Sequence, residues 1–368
     1  MKKLKVMTIL GTRPEIIRLA AVMETLEKFT DHILVHTGQN YDYELNQVFF
    51  DELNVREPDY FLNVDTSSLG KVLGEILIKT EETILAEKPD AVLVLGDTNS
   101  AISILMAKRM KIPTYHMEAG NRSFDANVPE ETNRKLVDHL ADFNLVYTEN
   151  ARRHLISEGL SHRFIYVTGS PMLEVLNSKL SSIEDSKILE TLKLKKNNYF
   201  IVSVHREENV DHPHNLRKVV NCLNALHDHY KLPIIVSTHP RTKDRLEKLE
   251  IGESDREIHF LKPFGFFDYN KLQKEAFCAI SDSGTISEES AMLGFPAVTL
   301  RQSLERPEAL DAGSIIMTGL QPDILISAVD LVIQEEDLMP RREVPFEYQI
   351  ENTSLRVTKL ILGTTKLT

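Results

Sequence analysis

The chain has 368 residues and a formal net charge of −12, and 42% of its residues are hydrophobic while 27% are charged. This composition excludes an intrinsically disordered protein, and the length exceeds what one hydrophobic core usually supports, so we expect two domains. The acidic balance argues against non-specific binding to nucleic acid, because neutralising phosphates requires a basic surface. A single anionic ligand that meets a few local cations is compatible with this charge.

Neither a membrane span nor a metal site is predicted. No apolar run approaches 18 residues, and the start MKKLKVMTIL leads directly into a strand-like segment, so we expect a cytoplasmic protein. Cys222 and Cys278 each stand among apolar neighbours without a disulfide or metal spacing, and we predict that both are core residues. His212 and His214 do not fit a recognised zinc spacing either.

Short apolar runs alternate with helix-like stretches through both halves of the chain. The first series comprises KVMTIL, HILVHTG, AVLVLGD and IPTYHMEAG, and the second comprises YFIVSVH, IIVSTHP, EIHFLKP, CAISDSG and PAVTL. This alternation is typical of parallel βαβ units with right-handed crossovers. The polar segment NSKLSSIEDSKILETLKLKKNN separates the two series, so we predict an N-terminal domain over residues 1–170 and a C-terminal domain over residues 171–351.

Residues suited to chemistry stand where the predicted strands end, and open parallel sheets bind their ligands at that edge. The first such segment is GTRPE, in which Arg13 stands at a helix start and is followed about one turn later by Arg18. Arginines at this place direct positive charge toward a phosphate or a carboxylate. The alternative is an ordinary strand-to-helix turn with solvated arginines.

Two further strand ends and a helix start each carry a carboxylate, namely Asp97, Glu118 and Glu130. Taken singly, Asp97 is also explained as a helix cap, and Glu130 as a first-turn acid that follows Pro129. Arg134 stands four residues beyond Glu130, at the spacing of an ion pair on one helix face. Carboxylates that are close together or partly desolvated acquire separated pKa values and divide acid and base roles between them.

The predicted C-terminal domain carries histidines beside arginines at two strand ends, in SVHREEN and THPR. A lone histidine is more often structural, but the repetition at His205 and His239 suggests an anion site. Farther along, the segment RQSLERPE, which includes Arg306, carries charges too densely to be explained by packing. The alternative for this segment is a solvated loop.

The strongest local signal is DSGTISEE, where a buried strand leads through a turn of small residues into a helix. The turn at Ser283 and Gly284 exposes backbone N–H groups that suit a diphosphate. Thr285 and Glu288 fit a capping box, which assigns Glu288 to structure. Glu289 is then the candidate for binding ribose hydroxyls, because a carboxylate accepts from both.

In order and spacing, these segments resemble the non-hydrolysing UDP-N-acetylglucosamine 2-epimerases over nearly the whole chain, through GTRPE, GDTNS, HMEAGNR, PEETNR, HRE, DSGTISEE and ERPEA. The resemblance implies an α/β fold of two Rossmann-like domains in a glycosyltransferase-B arrangement, with a central cleft that binds the nucleotide mainly through the C-terminal domain. It also implies that the last helix, residues 352–368, joins the N-terminal domain, and that the protein is a homodimer.

The same resemblance implies inversion of carbon 2 of a UDP-linked 2-acetamido sugar, by elimination and re-addition of UDP, without a redox cofactor or a metal. By motif position, the implied acid/base carboxylates are Asp97, Glu118 and Glu130. The groups implied to hold or stabilise the diphosphate are Arg13, Arg18, Arg134 and His205. Ser283, Gly284 and Glu289 resemble the UDP-binding turn, and we expect further substrate contacts from His239, Thr285 and Arg306.

Two segments differ from the usual family pattern. QNYDYE stands at residues 39–44 in place of the Gln-His pair of members regulated by UDP-N-acetylglucosamine, which puts a second effector site in question. The loop NRSFDANVPEE, residues 121–131, resembles capsule and O-antigen relatives that act on a 6-deoxy-L-sugar. We therefore favour UDP-N-acetyl-L-pneumosamine as substrate and UDP-N-acetyl-L-fucosamine as product.

Other functions are compatible with the same segments. The first alternative is a UDP-GlcNAc/UDP-ManNAc 2-epimerase. A UDP-sugar-dependent glycosyltransferase, which would share the nucleotide site, and a non-catalytic nucleotide-sugar-binding regulator are less favoured, because fold alone does not fix function.

Overall fold

The computed structural model describes residues 2–38, 43–125, 128–249, 256–303, 305–338 and 344–367. The chain divides into two compact units: an N-terminal unit of Met1–Ser178 with Gln349–Thr368, and a C-terminal unit of Lys179–Tyr348. Each unit contains a parallel sheet with helices, which confirms the predicted α/β class with two parallel-sheet domains. Residues 39–42, on which the question of an effector site depends, and residues 126–127 of the predicted substrate loop lie outside the described part of the chain.

In the described part of the N-terminal unit, seven parallel strands pair in the order β3-β2-β1-β4-β5-β6-β7. The strands are β1 (Lys5–Leu10), β2 (Asp31–His36), β3 (Tyr60–Phe61), β4 (Ala91–Leu95), β5 (Thr114–Met117), β6 (Phe143–Val146) and β7 (Ile165–Val167). Because β1 and β4 are neighbours at the centre, the loops that follow them leave the sheet side by side.

The helices of this unit cover the sheet with apolar faces. They are α1 (Arg13–Phe29), α2 (Tyr43–Leu53), α3 (Leu69–Glu87), α4 (Ile104–Arg109), α5 (Pro129–Leu140), α6 (Glu149–Ser157) and α7 (Met172–Asp185), which runs into the C-terminal unit. In α1 the buried residues Ile16, Leu19, Met23 and Leu26 recur at intervals of three and four, the spacing of one helix face. Short 3₁₀ turns occupy Asn99–Ser103 and His162–Phe164.

Across the residues described in the C-terminal unit, six parallel strands pair in the order β10-β9-β8-β11-β12-β13. The strands are β8 (Phe200–Ser203), β9 (Ile234–Ser237), β10 (Ile258–Leu261), β11 (Cys278–Ser281), β12 (Ala297–Thr299) and β13 (Ile316–Met317). The helices are α8 (Ile188–Thr191), α9 (Glu207–Val210), α10 (Pro213–Tyr230), α11 (Pro240–Lys248), α12 (Phe266–Lys274), α13 (Ile286–Leu293), α14 (Glu308–Asp311) and α15 (Pro322–Leu338).

Both faces of the C-terminal sheet are buried. Phe200 and Val202 pack on one face, and the intervening Ile201 packs on the other. This alternation explains why the strands read as continuous apolar runs in the sequence. Cys222 in α10 and Cys278 in β11 are free and buried in the core, as predicted.

The last helix, α16 (Thr353–Thr364), belongs to the N-terminal unit. Thr353 Oγ1 donates to Thr168 O at 3.0 Å, and Ser354 donates its N–H and its hydroxyl to the carboxylate of Glu174 at 2.7 and 2.8 Å. At the other end of α16, the hydroxyls of Tyr115 and Thr364 lie 2.7 Å apart. These bonds attach the end of the chain to β5 and to the segment after β7.

Within the described ranges, none of the helices combines the length and the apolar character that crossing a lipid bilayer requires.

Candidate active site

The turn after β5 carries Glu118 in a backbone conformation that is unusual for a residue with a side chain. Its φ is +62°, in the left-handed region, and Gly120 follows at +80°. Such a conformation costs about 1–3 kcal/mol for a non-glycine residue and persists where the surroundings impose it, often at functional sites. The Glu118 carboxylate accepts from Asn121 Nδ2 at 3.4 Å and lies 3.6 Å from Arg18 Nε.

Arg18 is buried, with 2% of its surface exposed, and its guanidinium lies over the Tyr147 ring at 5.5 Å. The alternative of a solvated arginine is therefore wrong for Arg18. Arg13, the first residue of α1, is half-buried and lies over the Phe49 ring at 5.3 Å.

Asp97 follows β4 and forms an ion pair with α5. Arg134 Nη2 lies 2.6 Å from Asp97 Oδ2, and the other terminal nitrogen of Arg134 donates to Glu131 at 3.1 Å. Thr98, not Asp97, is the N-cap residue of the following 3₁₀ turn, so the alternative that Asp97 caps a helix is wrong. The pair fixes the orientation of the Asp97 carboxylate, which is one quarter exposed.

Glu130 lies in the first turn of α5, which begins at Pro129 as predicted, and its side chain is half-buried. Its neighbour Glu131 faces inward and accepts from Ser123 N and Ser123 Oγ, both at 3.0 Å. Arg134 contacts Glu131 and Asp97, and its pairing with Glu130 stays a prediction. The structure thus brings together Arg18 with Glu118, and Arg134 with Asp97.

Glu15, to which sequence reasoning assigned no role, is a buried carboxylate between two of these turns. Its Oε2 accepts from Gly11 N at 3.0 Å and from Thr12 Oγ1 at 2.7 Å, and Ser100 Oγ donates to Oε1. Burial raises the pKa of Glu15 to about 7, although the hydrogen bonds from Ser100, Thr12 and Gly11 act in the opposite direction. Its position within the apolar face of α1, one residue before Ile16, is the sequence signal that was available.

Asp138, which the sequence analysis also did not identify, holds the turn that carries Glu118. It is fully buried in α5 and accepts from Gly120 N at 3.2 Å and from Arg122 Nη1 at 2.7 Å. His116 Nδ1 lies 2.9 Å from Asp138, and His116 Nε2 contacts Gly96 O at 2.8 Å. His116 and Asp138 therefore connect the turn that carries Asp97 with the turn that carries Glu118.

The Arg122 guanidinium extends this network to α6. It donates from Nε and Nη2 to the Glu158 carboxylate, both at 2.7 Å, and from Nη1 to Asp138. The bonds from Arg122 lower the pKa of Glu158 to about 2, despite the raising effect of burial. A buried arginine between two carboxylates satisfies charges that would be costly to bury alone.

In the C-terminal unit, Asp282 holds the loop that contains His205. This fully buried carboxylate, which directly follows β11, accepts from His205 N at 3.1 Å, Arg206 N at 3.0 Å and Asn209 Nδ2 at 2.9 Å. The His205 side chain is exposed, and its Nδ1 lies 3.4 Å from Asp282. Asp282 thus fixes the loop backbone and leaves the imidazole accessible.

The turn after Asp282 differs from the predicted capping box. Thr285 is the N-cap residue of α13 but makes no side-chain cap bond; its hydroxyl lies 2.9 Å from Ser283 Oγ. Glu288 is fully buried and lies 3.2 Å from Arg306. Its structural role therefore comes from this ion pair and not from a capping box. Glu289, half-buried, accepts from Gln273 Nε2 at 2.8 Å.

Three arginines surround Gly284. A Cβ atom added to Gly284 would lie 3.4 Å from Arg206 Nη2, 3.7 Å from Glu305 Oε2 and 3.8 Å from Arg301 Nη1. Arg306 Nη1 donates to Gly284 O at 2.9 Å. Arg301, Arg306 and the Glu305 carboxylate that binds Arg301 are all buried, so the alternative of a solvated loop is wrong here. The missing side chain of Gly284 leaves space in front of these cations.

His239 is exposed, and it serves as the N-cap residue of α11: its Nδ1 accepts from Arg241 N at 3.3 Å. The guanidinium of Arg241 is bound by the carboxylates of Glu207 and Asp211. Both arginines of the repeated His-Arg pattern are paired with carboxylates, because Arg206 Nη2 lies 3.6 Å from Glu305. They differ in position: Arg206 lies beside the Gly284 turn, whereas Arg241 binds Glu207 and Asp211.

Among the residues with described positions, three or more histidine, cysteine, aspartate or glutamate side chains do not gather closely enough to form a metal site.

A family model described as UDP-N-acetylglucosamine 2-epimerase matches residues 24–362. The chain belongs to this family. It is 37% identical over 341 residues to the UDP-N-acetylglucosamine 2-epimerase of Methanocaldococcus jannaschii, a match that covers 90% of this chain and 93% of that protein. The chain is therefore an isomerase of the UDP-sugar 2-epimerase type, as predicted.

Solved structures of the UDP-N-acetylglucosamine 2-epimerase family agree with the fold. The enzyme from Rickettsia bellii has a TM-score of 0.91 and 46% identity, and the match covers 99% of this chain and 98% of that one. The M. jannaschii enzyme in complex with UDP-GlcNAc and UDP has a TM-score of 0.91 and 35% identity, over 98% of this chain and all of that one.

The Gly120 turn predicts a specific loss of stability. Gly120→Ala places a methyl group against Ala151 O and also forces alanine to a φ of +80°. Gly159→Ala is the matched control, since it imposes a φ of +90° in open space. We expect the control to cost about 1–2 kcal/mol of unfolding free energy and Gly120→Ala to cost about 2 kcal/mol more, measured by denaturant unfolding. Equal losses would contradict the described packing.

Glu15 predicts a pH dependence of stability. The native state binds the proton more tightly than the unfolded chain, whose pKa for this group is 4.5, so the contribution is complete below about pH 4.5 and is lost as the pH rises through about 7. We expect Glu15→Gln to remove on the order of 3 kcal/mol from the difference in unfolding free energy between about pH 5 and pH 8. The measurement is denaturant unfolding at both pH values, and parallel pH profiles for the two proteins would disprove the assignment.

Proposed function

We propose that the chain interconverts UDP-N-acetylglucosamine and UDP-N-acetylmannosamine by inverting carbon 2 of the sugar. The observation that carries this proposal is the pair of ion-paired carboxylates, Asp97 and Glu118, at the ends of the neighbouring strands β4 and β5. The relatives named above act as UDP-N-acetylglucosamine 2-epimerases, and the M. jannaschii structure contains UDP-GlcNAc and UDP. These relatives favour the D-gluco substrate, the alternative of the sequence analysis, over the 6-deoxy-L-sugar.

The reaction requires a base, an acid and a stabilised leaving group, because no carbonyl acidifies carbon 2. A carboxylate removes the proton from carbon 2, the C–H electron pair forms the C1–C2 double bond, and the C1–O bond breaks with its electrons leaving on UDP. A carboxylic acid then protonates carbon 2 from the opposite face, while the diphosphate oxygen forms the C1–O bond again. In this scheme Asp97, Glu118 and Glu130 handle the protons. Arg134 orients Asp97, and Arg18 orients Glu118.

The C-terminal unit supplies the anion site in this proposal. Cations placed where negative charge develops stabilise the departing diphosphate, and they act most strongly where water is excluded. Arg206, Arg301 and Arg306 lie around the Gly284 turn, and the exposed imidazole of His205 is fixed nearby through Asp282. We assign Ser283, Gly284 and Thr285 to the diphosphate and Glu289 to the ribose. His239 and Arg13 are further candidates for contact with the substrate.

Solvent exchange at carbon 2 tests the reaction. Incubation with UDP-N-acetylglucosamine in deuterated water should place deuterium at carbon 2, and the variants Asp97→Asn, Glu118→Gln and Glu130→Gln should each slow this exchange by about 10²–10⁴-fold. Asp90→Asn is the matched control. Asp90 lies at the opposite end of β4 from Asp97, and its carboxylate binds Lys5 N and Lys366. Nuclear magnetic resonance at carbon 2 gives the rates.

Wild-type protein that incorporates no deuterium into UDP-N-acetylglucosamine or into UDP-N-acetyl-L-pneumosamine would contradict the epimerase proposal. Release of UDP that depends on an added acceptor would instead favour a glycosyltransferase. Full activity in both Asp97→Asn and Glu118→Gln would favour a binding protein.

The Gly284 turn predicts a separate effect on UDP affinity. Gly284→Ala fills the space in front of Arg206 and Arg301 with a methyl group, without requiring a left-handed backbone. We expect a loss of UDP affinity of about 10–100-fold, since a charge-assisted hydrogen bond is worth about 1.5–3 kcal/mol. Gly70→Ala in α3, where a methyl meets open space, should bind UDP like the wild type. Calorimetry would refute the diphosphate assignment if both variants bound UDP equally well.

A second candidate substrate is UDP-N-acetyl-L-pneumosamine. The loop sequence NRSFDANVPEE favours it, because this loop leads from Glu118 to Glu130 and resembles enzymes for 6-deoxy-L-sugars. Comparison of kcat/KM for the two UDP sugars decides between them. A higher value for the L-sugar would establish UDP-N-acetyl-L-fucosamine as the product.

A further inference from the structure

The carboxylate of Glu15 joins two turns that are far apart in the sequence. On one side it binds Gly11 N and Thr12 Oγ1, at the end of β1 and immediately before Arg13. On the other side it accepts from Ser100 Oγ, 85 residues away in the turn after β4. Ser100 Oγ in turn lies 2.5 Å from Thr98 Oγ1, and Thr98 is the residue that follows Asp97.

A role in stability alone does not explain a glutamate at this place. Glu15 is 1% exposed, so burying its charge costs free energy that burying an apolar side chain would not. A capping function explains the bonds to Gly11 and Thr12, because Glu15 is the third residue of α1. It does not explain the bond to Ser100, which connects to another strand.

We propose that Glu15 is a positioning residue that ties the Arg13-bearing turn to the Asp97-bearing turn through Ser100 and Thr98. This inference rests on the proposed function, in which Asp97 handles a proton. Asp97 is then held from two sides: Arg134 fixes its carboxylate, and the Glu15–Ser100–Thr98 chain fixes the backbone of its turn. Misplacing a reacting group by about 1 Å can reduce the rate 100-fold, so such a tether has a measurable effect on catalysis.

The hydrogen-bond chemistry distinguishes three substitutions. Glu15→Leu keeps the approximate volume and removes both tethers. Ser100→Ala cuts the contact to the second turn and leaves the bonds to Gly11 and Thr12 intact. Glu15→Gln can keep both, because its carbonyl oxygen accepts from Gly11 and Thr12 while its amide donates to Ser100 Oγ.

The test measures kcat and KM for solvent exchange at carbon 2 together with the melting temperature. Glu15→Leu and Ser100→Ala should each lower kcat about 10–100-fold at unchanged KM, and the double variant should be no slower than the slower single variant. Glu15→Gln should restore most of the rate. The control is Glu174→Leu, which removes bonds from Ser354 N and Oγ in the same unit and should leave kcat unchanged.

A wild-type kcat in both Glu15→Leu and Ser100→Ala would overturn the positioning role. A loss of kcat that follows the decrease in melting temperature and also occurs in Glu174→Leu would overturn it as well. Amide hydrogen exchange of residues 96–100 gives a readout that does not depend on the reaction. The tether predicts faster exchange there in Glu15→Leu and Ser100→Ala. Unchanged protection would refute it even if the wild type were inactive on every UDP sugar, an outcome that separately refutes the proposed function.

Discussion

Buried carboxylates that accept backbone N–H groups fix the strand-end turns on which the candidate active site depends. Glu15 accepts from Gly11, Asp138 from Gly120, and Asp282 from His205. Each of these carboxylates is at most 1% exposed, a placement that costs free energy unless hydrogen bonds or cations satisfy the charge. Holding a turn in this way sets the geometry of the side chains it carries before a substrate arrives, which is how an active site reduces its reorganisation.

The two units use this interaction for different purposes. In the N-terminal unit, Asp138 supports a turn in which Glu118 has a left-handed backbone, and the Asp97 carboxylate is oriented by Arg134. That unit therefore presents carboxylates in defined orientations, as proton transfer requires. In the C-terminal unit, Asp282 holds the His205 loop, and arginines surround the Gly284 turn, an arrangement that suits a diphosphate leaving group.

The sequence predicted nine of the thirteen described strands, all but β3, β6, β7 and β13, with their parallel arrangement and the turns that carry the polar residues. Apolar periodicity and strand-end chemistry are local signals, whereas the missed strands are short. The sequence did not identify Glu15 or Asp138, since an acidic residue in a helix reads as solvated unless its burial is known. The Thr285–Glu288 capping box failed for a related reason: Glu288 lies beside Arg306, a partner that is distant in the sequence. Likewise, the partner of Asp97 proved to be Arg134, 37 residues away, where local spacing suggested a helix cap.

In the proposed reaction, carbon 2 is inverted by elimination and re-addition of UDP. Positional isotope exchange tests it most directly, with UDP-N-acetylglucosamine that carries ¹⁸O between carbon 1 and the diphosphate. Elimination breaks that C1–O bond and frees the phosphate oxygens to exchange places, so ¹⁸O should appear in non-bridging positions of recovered substrate and product. Epimerised sugar that keeps all its ¹⁸O in the bridge would contradict elimination and re-addition, because the C1–O bond would never have broken.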